Sequence, residues 1–552
     1  MRRLLVRSTS NRRAGEVSCS KLLTAGDHPR SKCVANWVCL PTARPAVSGE
    51  LGVRTILLAP WFALILLLAH LPFLQLPYFW DEAGQFIPAA LDLLHMGAWI
   101  PHSAAPNIHP PGVVMYLAAF WRLAGTSPLA TRTAMLILAA FACLAAFLLS
   151  RELCRGAAGV PVFATLLLVC SPLFFAQSML AQLDAPAMLF TSLALLLFVQ
   201  DRMGPAVAAS IALVLVKETG LAVALVFALW LIRERRFRES VWFALPALAL
   251  AVWIAALWHA TGHWAGDVAF VRYNVADPLH ASRLLISLFR RLYYVFLADF
   301  RWIGTAAIVY AWRTTRLFAS RSWHVAWVLI FTHVLLVTVF GGAVLDRYLL
   351  PVMPLVYTAM AAALVLYSRP WRWICAMSLM GGVAAANWIN PPYPAPFENN
   401  LAFTDFIQLH QLASAYLMRS YPSAQIQTLW PLTVELSRPE LGFIGRPMTV
   451  YTLSDLNAPT LRTLEWDRLQ VLVAFSRNWD PRYNIMHSVF LARFWERIYS
   501  QPPDASREQV RALVRFPVAR HFERRGQWVD IYVNPRYSEP TGFQRVHLAR
   551  EK

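Results

Sequence analysis

Long apolar runs dominate the chain. They begin near Thr55, recur to about residue 389, and are each roughly twenty residues long, bounded by arginines, aromatics or prolines. A run of that length is what an α-helix needs to cross about 30 Å of hydrocarbon. Inside that layer every backbone amide must find its partner within the segment, so helices are the economical solution. Of the 552 residues 57% are hydrophobic and only 15% charged, outside the range of soluble domains. A formal charge of +19 would point to nucleic acid in a soluble protein, but the arginines gather at the ends of apolar runs, where they set topology. The expected partners are therefore membrane lipids, with no nucleic acid.

Placing the arginines on one side gives a path of eleven spans. The first, about 55–76, leaves the cytoplasm and is followed by a long outer loop over 77–127. Spans at about 130–150, 158–178 and 186–200 follow. The run 205–232 fits only as a hairpin of two short helices turning at Lys217-Glu-Thr-Gly, because one helix would carry Arg233, Arg235, Arg236 and Arg238 to the wrong side. Five further spans, about 240–258, 292–312, 324–345, 348–367 and 371–389, complete the bundle. The fold class expected is an α-helical polytopic membrane protein with a C-terminal extracytoplasmic α/β domain.

The flanking regions differ in kind. Residues 1–54 are polar and rich in Arg and Ser, and read as a disordered basic cytoplasmic leader. The segment 55–389 is the membrane domain. From about Asn390 a soluble-type domain runs to 552, entered through the stiff Pro391-Pro-Tyr-Pro-Ala-Pro stretch. Within it 403–419 has helical spacing, while 425–430, 469–475 and 528–534 read as strands. The seven cysteines show no CxxC pair or zinc-like spacing, so neither a disulfide framework nor a structural metal is expected. Arginine greatly outnumbers lysine (Lys21, Lys32, Lys217 and Lys552 are all there is) and no Asn-X-Ser/Thr sequon occurs, which points to a GC-rich bacterium and its cytoplasmic (inner) membrane.

Chemistry-bearing residues concentrate on the outer side. The first loop holds the adjacent acids Asp81 and Glu82, then Asp92, His102 and His109-Pro-Pro-Gly. From Glu82 to His95 the apolar residues Phe86, Ala90, Leu93 and Leu94 have helical spacing, suited to a helix lying along the membrane surface. Lys217 is the only lysine in the membrane region, and an intramembrane cation is costly unless paired or functional. A local ion pair with Glu218 is its plainer explanation. Arg347 begins a span on the outer side, against the prevailing charge asymmetry, with Asp346 as its plainer partner. Asp184 either lines the same cavity or opens a helix before Pro186. His259, His263 and Asp267 form a later outer group that, with Glu82 or His109, has the donor chemistry for a divalent ion.

These motifs, taken in order, resemble the C-type glycosyltransferase superfamily, in its protein O-mannosyltransferase and aminoarabinose transferase branch. The resemblance rests on Asp81-Glu82 after the first span, His109-Pro-Pro-Gly-Val-Val-Met-Tyr-Leu, Asp184 after the third span, and Arg347-Tyr-Leu-Leu-Pro-Val-Met-Pro, and it covers about 55–390. It implies transfer of a sugar, with inversion, from a polyprenyl-phosphate-linked donor to a protein, glycolipid or polysaccharide acceptor on the extracytoplasmic face. Asp81 is then the general base, deprotonating the acceptor hydroxyl as it attacks the anomeric carbon, and Glu82 a supporting catalytic group or metal contact. Lys217, Arg347 and His109 become donor-phosphate ligands, placed where negative charge develops on the leaving group. The aminoarabinose transferases of this branch commonly have lysine before the Pro-Pro motif, where this chain has His109. A secondary transporter or flippase is the alternative, with Lys217, Asp299 and Arg301 marking a polar pathway, although the chain lacks the two matching halves common in transporters.

Overall fold

The computed structural model describes residues 57–268, 272, 279–342, 345–480, 493 and 504–537. The expected leader over 1–54 lies outside them. The membrane region opens with α1 (Leu58–His70), which buries Leu66 and His70 and turns Trp61, Leu64, Ile65 and Leu68 outward. The first loop carries two helices, α2 (Ile87–Met96) and α3 (Gly112–Ala124). The next, α4 (Pro128–Leu153), starts sharply, because the Ser127 hydroxyl accepts the Ala130 N–H and proline occupies the first helical position. Then come α5 (Gly159–Cys170), α6 (Pro172–Gln177), α7 (Asp184–Val199), α8 (Met203–Val216), α9 (Leu221–Arg233), α10 (Phe237–Trp242) and α11 (Leu245–Thr261). The bundle is completed by α12 (Ala281–Phe296), α13 (Arg301–Thr314), α14 (Arg321–Phe340), α15 (Met353–Leu364) and α16 (Arg369–Ala385). Large apolar side chains face outward along it, among them Leu248, Val252 and Trp258 on α11 and Trp371, Ile374 and Met377 on α16. An apolar surface of that extent needs lipid against it.

Among the described residues, fewer than eleven of the expected spans appear as single long helices. By length and composition, four helical stretches among the described residues can cross a membrane, or five if one sharply bent pair counts as a single span. The span expected over 158–178 is interrupted at Ser171-Pro172, between α5 and α6. The hairpin expected over 205–232 is present as α8 and α9, of 14 and 13 residues. At 1.5 Å per residue each reaches only about 20 Å. Lys217 ends α8 in an extended conformation (φ −152°, ψ 123°).

The span expected over 292–312 is replaced by α12 and α13, which meet at 87°. Asp299 and Phe300 turn the corner at positive φ (52° and 64°), and the buried Arg301 fixes it. Its Nη2 donates to Asp299 at 2.7 Å, Nε to the Ala298 carbonyl at 3.0 Å and Nη1 to the Tyr357 hydroxyl at 3.2 Å, while the guanidinium lies 4.2 Å from the Tyr294 ring centroid. On α12, exposed Leu285 and Phe289 are flanked by Arg283 and Arg290, a pattern suited to lying in the interface rather than crossing it.

The tail packs α17 (Ala402–Ser420) on a five-stranded sheet, ordered β2-β1-β3-β5-β4. β1 (Gln425–Thr428) runs parallel to β2 (Thr449–Thr452) and β3 (Val471–Phe475), whereas β5 (Gln527–Val533) is antiparallel to β3 and to β4 (Val518–Arg524). β3 is buried at every residue and is the centre of the sheet. The two edge strands, β2 and β4, escape the sequence reading because their side chains are mostly exposed and polar, as edges tend to be. The tail sits directly on the first loop. The Phe79 ring lies 5.7 Å from Phe403 and 5.5 Å from Phe406, and the Tyr78 amide donates to the Leu441 carbonyl at 3.3 Å.

Candidate active site

The acid pair stands on an unusual piece of backbone. Trp80 has φ +49°, a conformation a bulky residue adopts only when its surroundings enforce it. Its ring is held edge-on by Trp430 at 4.9 Å and by Phe406 at 5.7 Å, both from the tail. Directly after it the chain makes a π-helical turn over Glu82–Phe86, a rare form that recurs at functional sites. Gly84 is required there. A Cβ at that position would lie 2.9 Å from Cζ2 and Nε1 of the Trp430 indole.

This turn sends the two carboxylates to different places. Glu82 is fully buried in a bidentate pair with Arg132, whose Nη1 and Nη2 both donate to it, the latter at 2.9 Å. The backbone amides of Phe79 (2.9 Å) and Ala181 (2.5 Å) also donate to Glu82. A carboxylate offers about four acceptor positions, and here all are taken. Glu82 therefore ties the first loop to α4 and to the segment before α7. Among the described residues no group of three or more His, Cys, Asp or Glu side chains could hold a metal ion, so Glu82, His259 and His263 do not assemble into one.

Asp81 faces the other way and keeps 24% of its side chain exposed. It accepts from Arg347 Nη2, and from there charges alternate inward. Arg347 Nε lies 3.2 Å from Glu398 and 3.6 Å from Asp184. Asp184 in turn accepts from Lys217 Nζ at 2.5 Å, and Lys217 sits 4.4 Å from the Tyr348 ring centroid. The local partners expected for the two cations are not the ones used. Asp346 accepts instead from Asn399 at 2.6 Å, and Glu218 engages His109. Asp184 does open α7, at its first residue, while its carboxylate is spent on the cations. Three polar atoms at the centre, Nε and Nη1 of Arg347 and Oε1 of Glu398, are buried without a hydrogen-bond partner among the described residues.

The Pro-Pro-Gly motif has a visible task. Gly112 lets the start of α3 approach the end of α8 so closely that a Cβ would lie 2.5 Å from the Leu215 carbonyl oxygen. That contact brings His109 Nδ1 within 2.8 Å of Glu218, in the break after Lys217. Burial pushes the Glu218 carboxyl up, but His109 and Lys217 more than offset this and hold it below its usual range. Asp92 closes the same loop, accepting from the His102 and Ser103 amides at 2.7 Å each.

Two residues of the network escape the sequence reading. Arg132 lies four residues inside an apolar helix, and an arginine in that position signals a buried acid partner. Glu398 follows the proline-rich stretch, in the 3-10 turn Phe397–Asn399. That turn delivers Glu398 to Arg347 and Asn399 to Asp346. Burial, opposed by Arg347 and reinforced by Asp81 and Asp184, pushes Glu398 up to about 7.

No protein-family model matches the sequence, and no curated protein does. Among the solved structures similar to this chain are two of one protein. The crystal structure of ArnT from Cupriavidus metallidurans bound to undecaprenyl phosphate is 13% identical with a TM-score of 0.49, covering 88% of this chain and 99% of that one. The same protein in the apo state is 13% identical with a TM-score of 0.48, covering 86% and 97% respectively.

Proposed function

We propose that the chain is an integral-membrane glycosyltransferase, moving a sugar from a polyprenyl-phosphate-linked donor to an acceptor hydroxyl on the extracytoplasmic face, with Asp81 as general base. The observation that carries this reading is the pairing of an accessible carboxylate, Asp81, with Arg347, whose buried Nη1 has no hydrogen-bond partner among the described residues. A buried guanidinium donor without an acceptor is expensive unless a ligand completes it, and a phosphate oxygen is well matched to it. When the donor binds, its phosphate competes with Asp81 for Arg347. Asp81 is thereby freed to accept the acceptor proton as the C–O bond to the lipid phosphate breaks and the new glycosidic bond forms. Lys217 adds a second positive charge beside the leaving group. His109, held by Glu218, orders the loop and stands as a further donor to the phosphate. The acceptor is a protein, glycolipid or polysaccharide hydroxyl, and the tail that walls the Asp81 turn helps to select it.

The transporter alternative gains nothing from Asp299 and Arg301, which satisfy each other at the α12–α13 corner. The test is made on lipids. Deletion of the chain should leave a polyprenyl-phosphate-linked sugar accumulating in membrane extracts, and restoring the wild-type chain should clear it. Restoring Asp81→Asn, with equal folded protein in the membrane, should not. Clearance by Asp81→Asn would remove Asp81 as base, and absence of any accumulated lipid-linked sugar would overturn the donor assignment.

A further inference from the structure

About 20 Å along α9 from the Lys217 break, at 1.5 Å per residue, the bundle has a second feature. A groove of about 460 Å³ opens between the end of α9 and one face of α14, lined by Trp230, Arg233, His324, Val328, Phe331 and Leu335 among others. Beside it lies a smaller recess of about 340 Å³ that shares Trp230, Arg233 and His324 and adds Glu234 and Arg321. The four α14 residues recur at helical spacing, so they form one stripe about 17 Å long. The groove is thus polar at its arginine-rich end and apolar along the rest. Val328, Phe331 and Leu335 remain 42%, 42% and 53% exposed, which leaves them facing whatever surrounds the bundle.

Its charges do not cancel. Glu234 accepts from Arg321 Nε at 2.6 Å and Nη2 at 2.9 Å, and from the Trp230 indole at 2.7 Å, so that carboxylate is already matched. Arg233 stacks its guanidinium 5.0 Å from the Trp230 ring centroid and has no acid or hydrogen-bond partner among the described residues. His324 is exposed beside it.

We propose that this groove binds one anionic phospholipid, with the phosphate held by Arg233 and His324 and an acyl chain laid along Val328, Phe331 and Leu335. The charge asymmetry favours an anionic over a zwitterionic headgroup, because the one acid at the rim is consumed by Arg321. The apolar stripe favours a lipid over a free anion. This site is independent of the proposed transfer reaction.

The test uses the full chain in detergent, offered phosphatidylglycerol or phosphatidylcholine of identical acyl composition, with retained lipid counted by native mass spectrometry. One phosphatidylglycerol should be retained with about fivefold preference, the effect of roughly one basic group near an anionic headgroup. That preference should fall as ionic strength rises. The double substitution Arg233→Gln with His324→Gln should remove it, and Val328→Trp, which fills the groove, should lower retention of both lipids. Equal retention of the two lipids by the wild-type chain, or a preference unchanged by salt, overturns the proposal without recourse to any variant. An unchanged preference in the double variant overturns the assignment of these two residues.

Discussion

Asp81 and Glu82 are neighbours in sequence and chemically alike, yet the structure gives them opposite surroundings. Glu82 is sealed, with Arg132 and two backbone amides filling its acceptor positions. Asp81 is open on one side and shares Arg347 with two other acids. A saturated carboxylate can anchor but has nothing left to accept a proton or a metal. A carboxylate held by a shared, unsaturated guanidinium can exchange partners. The comparison teaches that a buried ion pair becomes available for chemistry when its hydrogen bonding is left incomplete, rather than through the identity of its residues.

The sharpest way to break this contrast is to neutralise each acid in turn. Asp81→Asn should reduce sugar transfer by about 10²–10⁴-fold, the usual contribution of general-base catalysis, while folded protein in the membrane is unchanged. Glu82→Gln should do the reverse, lowering thermal stability by about 3–5 kcal/mol because Arg132 is left as an uncompensated buried charge. Equal stability of both variants would erase the distinction. Next in size, Lys217→Ala should weaken apparent donor affinity by about tenfold, a loss of about 1.4 kcal/mol. An unchanged value would make the Lys217–Asp184 pair purely structural.

Two smaller effects test what the tail contributes. Glu398 is pushed up from 4.5 to about 7, so the folded chain holds its proton more tightly than the unfolded chain does. Its contribution to stability is fully present below about pH 4.5 and is lost as pH rises through about 7. Thermal unfolding should show that decline, and Glu398→Gln should flatten it; an identical pH profile in the variant would remove Glu398 as its source. Smallest of all, Gly84→Ala should push the Trp430 indole aside at a cost of about 1–3 kcal/mol. Faster limited proteolysis of the tail is the expected readout, and an unchanged cleavage rate would show that the contact can yield.

Much of the architecture could be read before the structure, for reasons that differ by element. The α8–α9 break at Lys217 was legible because a continuous helix would have violated the charge asymmetry of the loops. The helix Ala402–Ser420 was legible because one-sided burial imposes helical periodicity on its side chains, and the strand Val471–Phe475 because a fully buried strand reads as a short unbroken apolar run. The α12–α13 corner was not, since it depends on Arg301 finding Asp299, Tyr357 and Tyr294. Nor was Glu398, whose role comes from a turn that folds back over Arg347 from the far side of a proline-rich stretch.

The sequence by itself determined that the chain is built of apolar helices suited to a membrane and that acids and cations collect in the segments between them. Those properties follow from hydrophobic length and charge placement, which are local sums along the chain. Only the tertiary structure decided which acid meets which cation. Ion pairing requires groups to approach within a few ångströms, and partners such as Asp81 and Arg347, 266 residues apart, are brought together by packing that no local pattern records.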